Sequence, residues 1–339
     1  MEALNQDNMK LSPKEYFGEL GERTARIRER LINTQPSVDT ERAVLTTESY
    51  RAHEQDQVVL RRAYMLDNVL RNMSIYIDPD ALLAGNQASG DRAAPIFPEY
   101  AMDWVVDELD KFDKRDGDRF TITEENKAIL RDMYPYWKGR TLQDKGYAAF
   151  PERARLFYDL GIIKTEGNIT SGDAHIAVDY GRVLREGLQS YRERVIGQQN
   201  RLELANFEDL KKSYFYRSIL IVLDAVEAYA LRYASLAEEQ AKSAAPQRAK
   251  ELLEIARICR KVPMQPADTF HEALQSVRML HVILQIESNG HSLSYGRLDQ
   301  YVYPYYEKSR KDGMSEEQAG ELLENLWLRT FTVNKIRSW

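Results

Sequence analysis

The residues best equipped for chemistry stand in two turn-rich stretches. One is Ile286-Glu287-Ser288-Asn289-Gly290-His291-Ser292-Leu293-Ser294-Tyr295-Gly296-Arg297. Ser288, Asn289 and Gly290 are turn formers, and Gly290 can take φ > 0 without steric cost. Leu293 and Tyr295 then alternate with Ser292 and Ser294, the period of a short strand. A histidine and two serines therefore sit where a turn delivers the chain into a strand, a junction that holds polar side chains at the rim of a core. The other stretch is Thr165-Glu166-Gly167-Asn168-Ile169-Thr170-Ser171-Gly172-Asp173-Ala174-His175, just ahead of Val178-Asp179-Tyr180. His175, His291 and Ser292 can each donate or accept hydrogen bonds near neutral pH, which suits the binding of a polar substrate. The plainer reading of the same residues is a capped helix end with solvated histidines, and the residue types alone leave both open.

Other constellations are weaker. His271 and His281 are ten residues apart on one helix, hence on different faces, which spoils a two-histidine metal site. There is no His-Glu-x-x-His, no cysteine cluster, no P-loop and no Gly-x-Gly-x-x-Gly. Cys259 lies inside a helical pattern and reads as a buried structural thiol. Tyr301, Tyr303, Tyr305 and Tyr306 read as packing, and Glu124-Glu125 and Glu316-Glu317 as first-turn helix charges.

The elements that must position these stretches are almost all helical. Residues 1–11 read as a disordered lead, and 12–339 as a single mainly helical region with no interdomain linker. Ser12-Pro13-Lys14-Glu15 is a capping box, followed by Tyr16, Leu20, Ile27 and Leu31 on one helical face. Further helices start at Asp39-Thr40-Glu41 and span Val58 to Arg71, while Ser74 to Ile77 alternates like a short strand. Leu82 to Pro98 is a long ordered loop of the kind often found at functional sites. Helices follow over Tyr100 to Leu109, after the caps Thr123 and Thr141, and from Pro151 to near Gly161. From Tyr180 to Cys259 the pattern is almost continuous helix, with Phe207 to Ala241 the longest element and Gln247 to Cys259 folding back on it. Thr269 caps a helix over 270–286, and Ser315 opens the last one with a capping box. Leu323, Leu326, Leu328 and Phe331 on that last helix have no later element to pack against, so they are expected to be exposed.

At 339 residues, with 43% hydrophobic and 29% charged residues, the chain is globular rather than disordered. A net charge of −6 argues against nucleic acid or an anionic membrane as partner. A single cysteine rules out an internal disulfide framework and fits a reducing compartment. The N-terminus carries no signal-peptide pattern, and the most apolar run, Ile219 to Leu223, stops at Asp224. A cytoplasmic protein is expected.

Glu-Ser-Asn-Gly-His-Ser at 287–292, Gly-Arg-x-Asp-Gln-Tyr at 296–301 and Tyr-Pro-Tyr-Tyr at 303–306 together resemble the glycyl radical enzymes. The branch in view contains glycerol and propanediol dehydratases and formate acetyltransferases, and the likeness runs from about Asn33 to the last residue. In the diol-dehydrating members a histidine before Val-Asp-Tyr, and the His-Ser after Asn-Gly, hold substrate hydroxyls. The resemblance thus implies that His175, His291 and Ser292 bind substrate. Asn289-Gly290-His291-Ser292 matches without departure, whereas Ala174 stands before His175 where the family pattern has glycine.

The fold implied is mainly α with few short strands: the helical N-terminal part of a pyruvate formate-lyase-like ten-stranded α/β barrel, reaching its first strand near Leu293. The family reaction also needs a C-terminal radical glycine, a thiyl cysteine in a Gly-Cys-Val-Glu setting and a carboxylate base, none of which this sequence contains. By resemblance it is the N-terminal portion of a glycyl radical lyase, with no catalytic residue, cofactor or metal of its own. The complete enzyme needs a glycyl radical installed by a radical S-adenosylmethionine activating enzyme, acts on a small diol-like substrate and forms a homodimer. Formate acetyltransferase is the second reading within the class. A non-enzymatic helical module and one subunit of a split enzyme are the readings outside it.

Overall fold

Short polar caps start the helices where the sequence places them. Thr123 accepts from Asn126 N–H at 3.1 Å and Thr269 from Glu272 N–H at 3.2 Å. Thr141 with Asp144, and Ser315 with Gln318, form full capping boxes. The computed structural model describes residues 21–163, 176–289 and 292–338. The expected lead at 1–11, the Ser12 capping box, the stretch Thr165 to His175, and Gly290 and His291 lie outside the described residues.

In chain order the elements are α1 (Glu22–Asn33), β1 (Ser37–Asp39), α2 (Glu41–Ala52), α3 (Val58–Asn72), β2 (Ala93–Pro95) and α4 (Asp103–Glu108). Next come α5 (Glu124–Trp137), α6 (Leu142–Ala149), α7 (Glu152–Asp159), β3 (Ile176–Ala177), α8 (Tyr180–Gln199) and α9 (Phe207–Ala241). The last are α10 (Pro246–Cys259), α11 (Phe270–Ser288), β4 (Leu293–Ser294), α12 (Leu298–Lys311) and α13 (Glu316–Thr330). The chain is mainly helical with a few short strands. Both strand pairs, β1 with β2 and β3 with β4, are parallel. No helix among the described residues is long and apolar enough to cross a membrane.

α11 is the spine. Its Met279, Val282, Ile283 and Ile286 pack into a core built with α3, α9 and α10. On the opposite side Phe270, Ala273, Leu274 and Val277 pack with α8, α12 and α13. A third core joins α2, α4 and α5 around Phe112 and Trp137. A helix buried on nearly every face should be apolar throughout. α11 instead buries Gln275 and Arg278 and half-buries His271, spaced i, i+4, i+7 along one face.

Those three side chains hold the loop that follows α3. His271 Nε2 meets the Leu82 carbonyl oxygen at 2.8 Å. Gln275 accepts from Ala84 N–H at 2.8 Å and donates to Ala84 C=O at 3.0 Å. Arg278 donates to the Gly85 carbonyl at 2.9 Å. Asn325 of α13 accepts from Leu82 N–H, and Tyr233 and Tyr229 of α9 take Asn86 N–H and C=O. A loop this deep would otherwise carry backbone groups that nothing satisfies.

Several expectations change in detail. Ser74 to Ile77 joins no ladder; its backbone is tied by side chains, Ser74 N–H to Glu41 and Tyr76 N–H to Asn86. The helix expected from Tyr100 to Leu109 is only Asp103–Glu108. α8 is broken at Gly187, φ 68° and ψ 159°, where the next two N–H groups turn to the carbonyls of Pro263 and Met264. A Cβ at Gly187 would lie 2.4 Å from the Met264 carbonyl oxygen, so only glycine fits there. Leu326 is not exposed but fully buried in the α8–α11–α12–α13 core, whereas Trp327 and Phe331 are exposed. α13 thus finds its apolar partners earlier in the chain.

Gln275→Ala would leave both backbone groups of Ala84 buried and unpaired, a cost of about 3 kcal/mol. The expected outcome is a matching fall in the free energy of urea unfolding. A shift of a few tenths of a kcal/mol would mean that the loop does not depend on this contact.

Candidate functional site

The two chemistry-bearing stretches are joined by a short ladder. β3 follows His175 directly, β4 follows Ser292, and the two run parallel with Ile176 opposite Leu293 and Ala177 opposite Ser294. Ile176 N–H donates to the Ser292 carbonyl at 3.2 Å. Ser292 itself is exposed, with φ 62°. His175 and His291 are outside the described residues, so the structure locates the chain that adjoins them rather than their rings.

An aromatic cluster fastens this ladder to the helices. Tyr180, at the first turn of α8, meets His281 Nδ1 of α11 through its hydroxyl at 3.0 Å. The His281 ring stacks on Tyr295 with centroids 4.2 Å apart, and Gln285 Nε2 lies 3.1 Å from His281 Nε2. Tyr301 O–H donates to the Tyr295 carbonyl at 2.7 Å, and its ring lies 6.0 Å from that of Tyr180. Burial, with Arg278 adding to it, pushes the His281 pKa down to about 3. The ring is therefore neutral, and its place is structural rather than that of a proton shuttle.

At the end of α11 the chain enters the turn through Asn289, which is buried in the left-handed conformation at φ 60° and ψ 14°. Its Oδ1 has no hydrogen-bond partner among the described residues. Behind it stands a charge cluster that sequence reading missed. Arg42 donates from Nη2 to Glu99 Oε1 at 2.6 Å and from Nε to the Ile286 carbonyl at 2.7 Å. Arg62 bonds Glu99 Oε1 at 3.1 Å, Glu287 Oε1 at 2.8 Å and the Glu287 carbonyl. Burial alone would push the Glu99 carboxyl up, but Arg42 and Arg62 outweigh it and hold it below the usual carboxylate range. No local motif announces these partners; only Glu287, inside the quoted stretch, offered a signal.

An apolar cavity of about 810 Å³ lies between α3, α8, α9 and α11. Val178, just after β3, lines it, and Arg62 and Glu287 form its polar end. His271 and His281 face different partners, the Leu82 carbonyl and Tyr180. Among the described residues no group of three or more His, Cys, Asp or Glu side chains is placed to hold a metal ion. Cys259 is buried in the α9–α10 core, where burial pushes its thiol up to about 12, away from the thiolate that reactivity requires.

Among the described residues the architecture is thus two short parallel strand pairs on a helical scaffold, with the apolar cavity beside the buried helix α11. Residues 14–339 match the pyruvate formate lyase-like family. The chain belongs to that family, and its relatives are glycyl radical enzymes of the propanediol and glycerol dehydratase type. It is 45% identical over 306 residues to the Escherichia coli (strain K12) protein named "Probable dehydratase YbiW", covering 89% of this chain and 38% of that one. The structure described for 1,2-propanediol dehydration in Roseburia inulinivorans superposes with a TM-score of 0.91 at 36% identity, covering 94% of this chain and 40% of the other. A glycyl radical enzyme from Archaeoglobus fulgidus gives a TM-score of 0.86 at 33% identity, covering 91% and 40%. The chain therefore spans about 40% of the length of the relatives it matches.

The neutral His281 has a consequence for stability. Its folded pKa of about 3 lies below the unfolded value of about 6.5, so the unfolded chain binds the proton first. The contribution is complete above about pH 6.5 and is lost as pH falls toward 3, at up to about 1.4 kcal/mol per pH unit. His271, whose pKa burial also lowers, acts in the same direction. Urea unfolding at about pH 7 and about pH 5.5 should show the loss, and His281→Gln should flatten the slope. An unchanged slope in that variant would place a charged histidine in the cluster.

Proposed function

We propose that this chain is the N-terminal part of a glycyl radical lyase that removes water from a small diol or polyol. In this reading His175, His291 and Ser292 hold the substrate hydroxyls. The observation that carries it is the β3–β4 ladder, because it brings the residue after His175 into hydrogen-bonding contact with Ser292. Two side chains that bond neighbouring hydroxyls at about 2.7–3.0 Å each must lie within roughly 10 Å of one another, and a shared ladder is compatible with that. The family match supports the reaction class, and the relative described for 1,2-propanediol dehydration supports a vicinal diol as substrate class.

The ten-stranded barrel belongs to the same reading. Parallel strands are normally covered on both faces, yet Ile176 and Ala177 are exposed. The Gln87 side-chain amide is buried without a partner among the described residues. Both features support further strands alongside. The complete enzyme would carry the radical glycine, the thiyl cysteine and the base. An activating enzyme would install the radical, and the dimer is part of the same proposal. The chemistry of this chain would be binding and orientation.

Gene sequence beyond the Trp339 codon is the first test. An open frame running on to Gly-Cys-Val-Glu and a C-terminal Arg-Val-x-Gly-Tyr is expected, or a neighbouring gene that encodes them. A stop codon with nothing related downstream would favour the non-enzymatic helical module. The chain alone, given an activating enzyme and S-adenosylmethionine under anaerobic conditions, should show no carbon-centred glycyl doublet by electron paramagnetic resonance; a doublet would sink the fragment reading. In the complete enzyme His175→Ala should weaken productive diol binding by about 1–3 kcal/mol, read as a fall in kcat/KM.

A further inference from the structure

A helix end leaves its last four carbonyls without intrahelical partners, and cations are favoured there. α11 meets this need with two guanidiniums drawn from distant parts of the chain. Arg42 takes the Ile286 carbonyl and Arg62 the Glu287 carbonyl, one residue apart on the final turn. Both guanidiniums converge on the buried carboxylate of Glu99, and Arg62 also grips the Glu287 side chain and the Tyr100 hydroxyl at 2.6 Å. Phe97 lies under Arg42 at 3.7 Å, closing the far face. Two positive and two negative charges balance.

The backbone just beyond is unusual. Asn289 and Ser292 both have φ near +60°, two non-glycine residues in the left-handed region three positions apart in sequence. Each such residue carries a conformational cost and persists where its surroundings over-determine it. On the Asn289 side, hydrogen bonds from Arg42 and Arg62 to the carbonyls of Ile286 and Glu287 supply the constraint. We propose that Arg42 and Arg62, bridged by Glu99, are positioning residues for Asn289, where α11 ends and the chain turns away toward β4. They hold the helix end in one register so that the chain leaves it at Asn289 in one direction. The catalytic meaning of this rests on the substrate-binding reading above; the positioning itself does not.

Hydrogen exchange followed by mass spectrometry, on the full-length protein and on this chain, tests the proposal. Arg62→Gln should speed exchange of the amides of 288–296 by about tenfold or more while those of the α9–α10 core keep their protection. Arg62→Lys should recover part of the protection, since an ammonium supplies donors but not the planar fork. Glu287→Gln, at a half-buried position, should give the same local pattern in smaller measure and serves if Arg62→Gln fails to fold. A uniform loss of protection, or an unaltered turn in a folded variant, overturns the proposal. In the full-length protein, turnover of a 1,2-diol separates the two ideas. If Arg62→Gln loosens the turn and raises KM more than it lowers kcat, both stand. If the turn loosens but His175→Ala leaves diol turnover untouched, positioning stands and the substrate-binding reading falls.

Discussion

Buried backbone must be hydrogen-bonded, and the rest of this structure depends on how that demand is met between Leu82 and Asn86. The chain passes there through the middle of the protein without a strand or helix to satisfy it. Side chains of α11 do so instead, with Gln275 acting as a two-pronged stand-in for a neighbouring strand. Amide-to-backbone bonds of this kind add about 1 kcal/mol net when made, but leaving the backbone groups unpaired costs more. The asymmetry fixes α11 against the loop in rotation and in height. Once α11 is fixed, so is the place where it ends, at Asn289.

Electrostatic contributions divide sharply by burial. Pairs such as Lys242–Glu239 or Arg297–Asp299 are largely exposed and screened by solvent, so they contribute little. Arg42 and Glu99 are nearly excluded from solvent. Their desolvation is costly, so the pair adds little compared with a well-packed apolar substitute, but removing one partner costs about 3–5 kcal/mol. Such a cluster specifies geometry more than it stabilises. The same division applies to the histidines: His281 is buried, neutral and surrounded by Tyr180, Tyr295 and Gln285, which makes it a packing element with polar edges.

Local signals were readable where the physics is local. The 3.6-residue period gave Phe207–Ala241 to the residue, and Thr123, Thr141, Thr269 and Ser315 marked their helices because a cap involves only the next three residues. The Leu82–Pro98 loop was recognisable as irregular, but its partners on α9, α11 and α13 were not, since nothing in Ala84 points to Gln275. The break at Gly187 was not legible within the nearly continuous helical pattern from Tyr180 to Cys259, because the carbonyls that take the next two N–H groups belong to Pro263 and Met264. Arg42, Arg62 and Glu99 escaped for the same reason. For the candidate site, Ser292 and the strand after it were legible from alternation; the pairing of that strand with Ile176 was not.

The β3–β4 ladder also has a history in time. Its two strands are parallel and separated in sequence by the whole of α8 to α11. A hairpin can close by itself in microseconds, but this ladder must wait until four intervening helices have been made and packed, because chain entropy opposes the closure until their contacts compensate it. During synthesis the polar rim therefore forms after the scaffold beneath it. A ribosome that has released α3 and α9 has produced most of one core but none of the ladder. The ladder is thus assembled after the four helices between its strands, onto surfaces already in place.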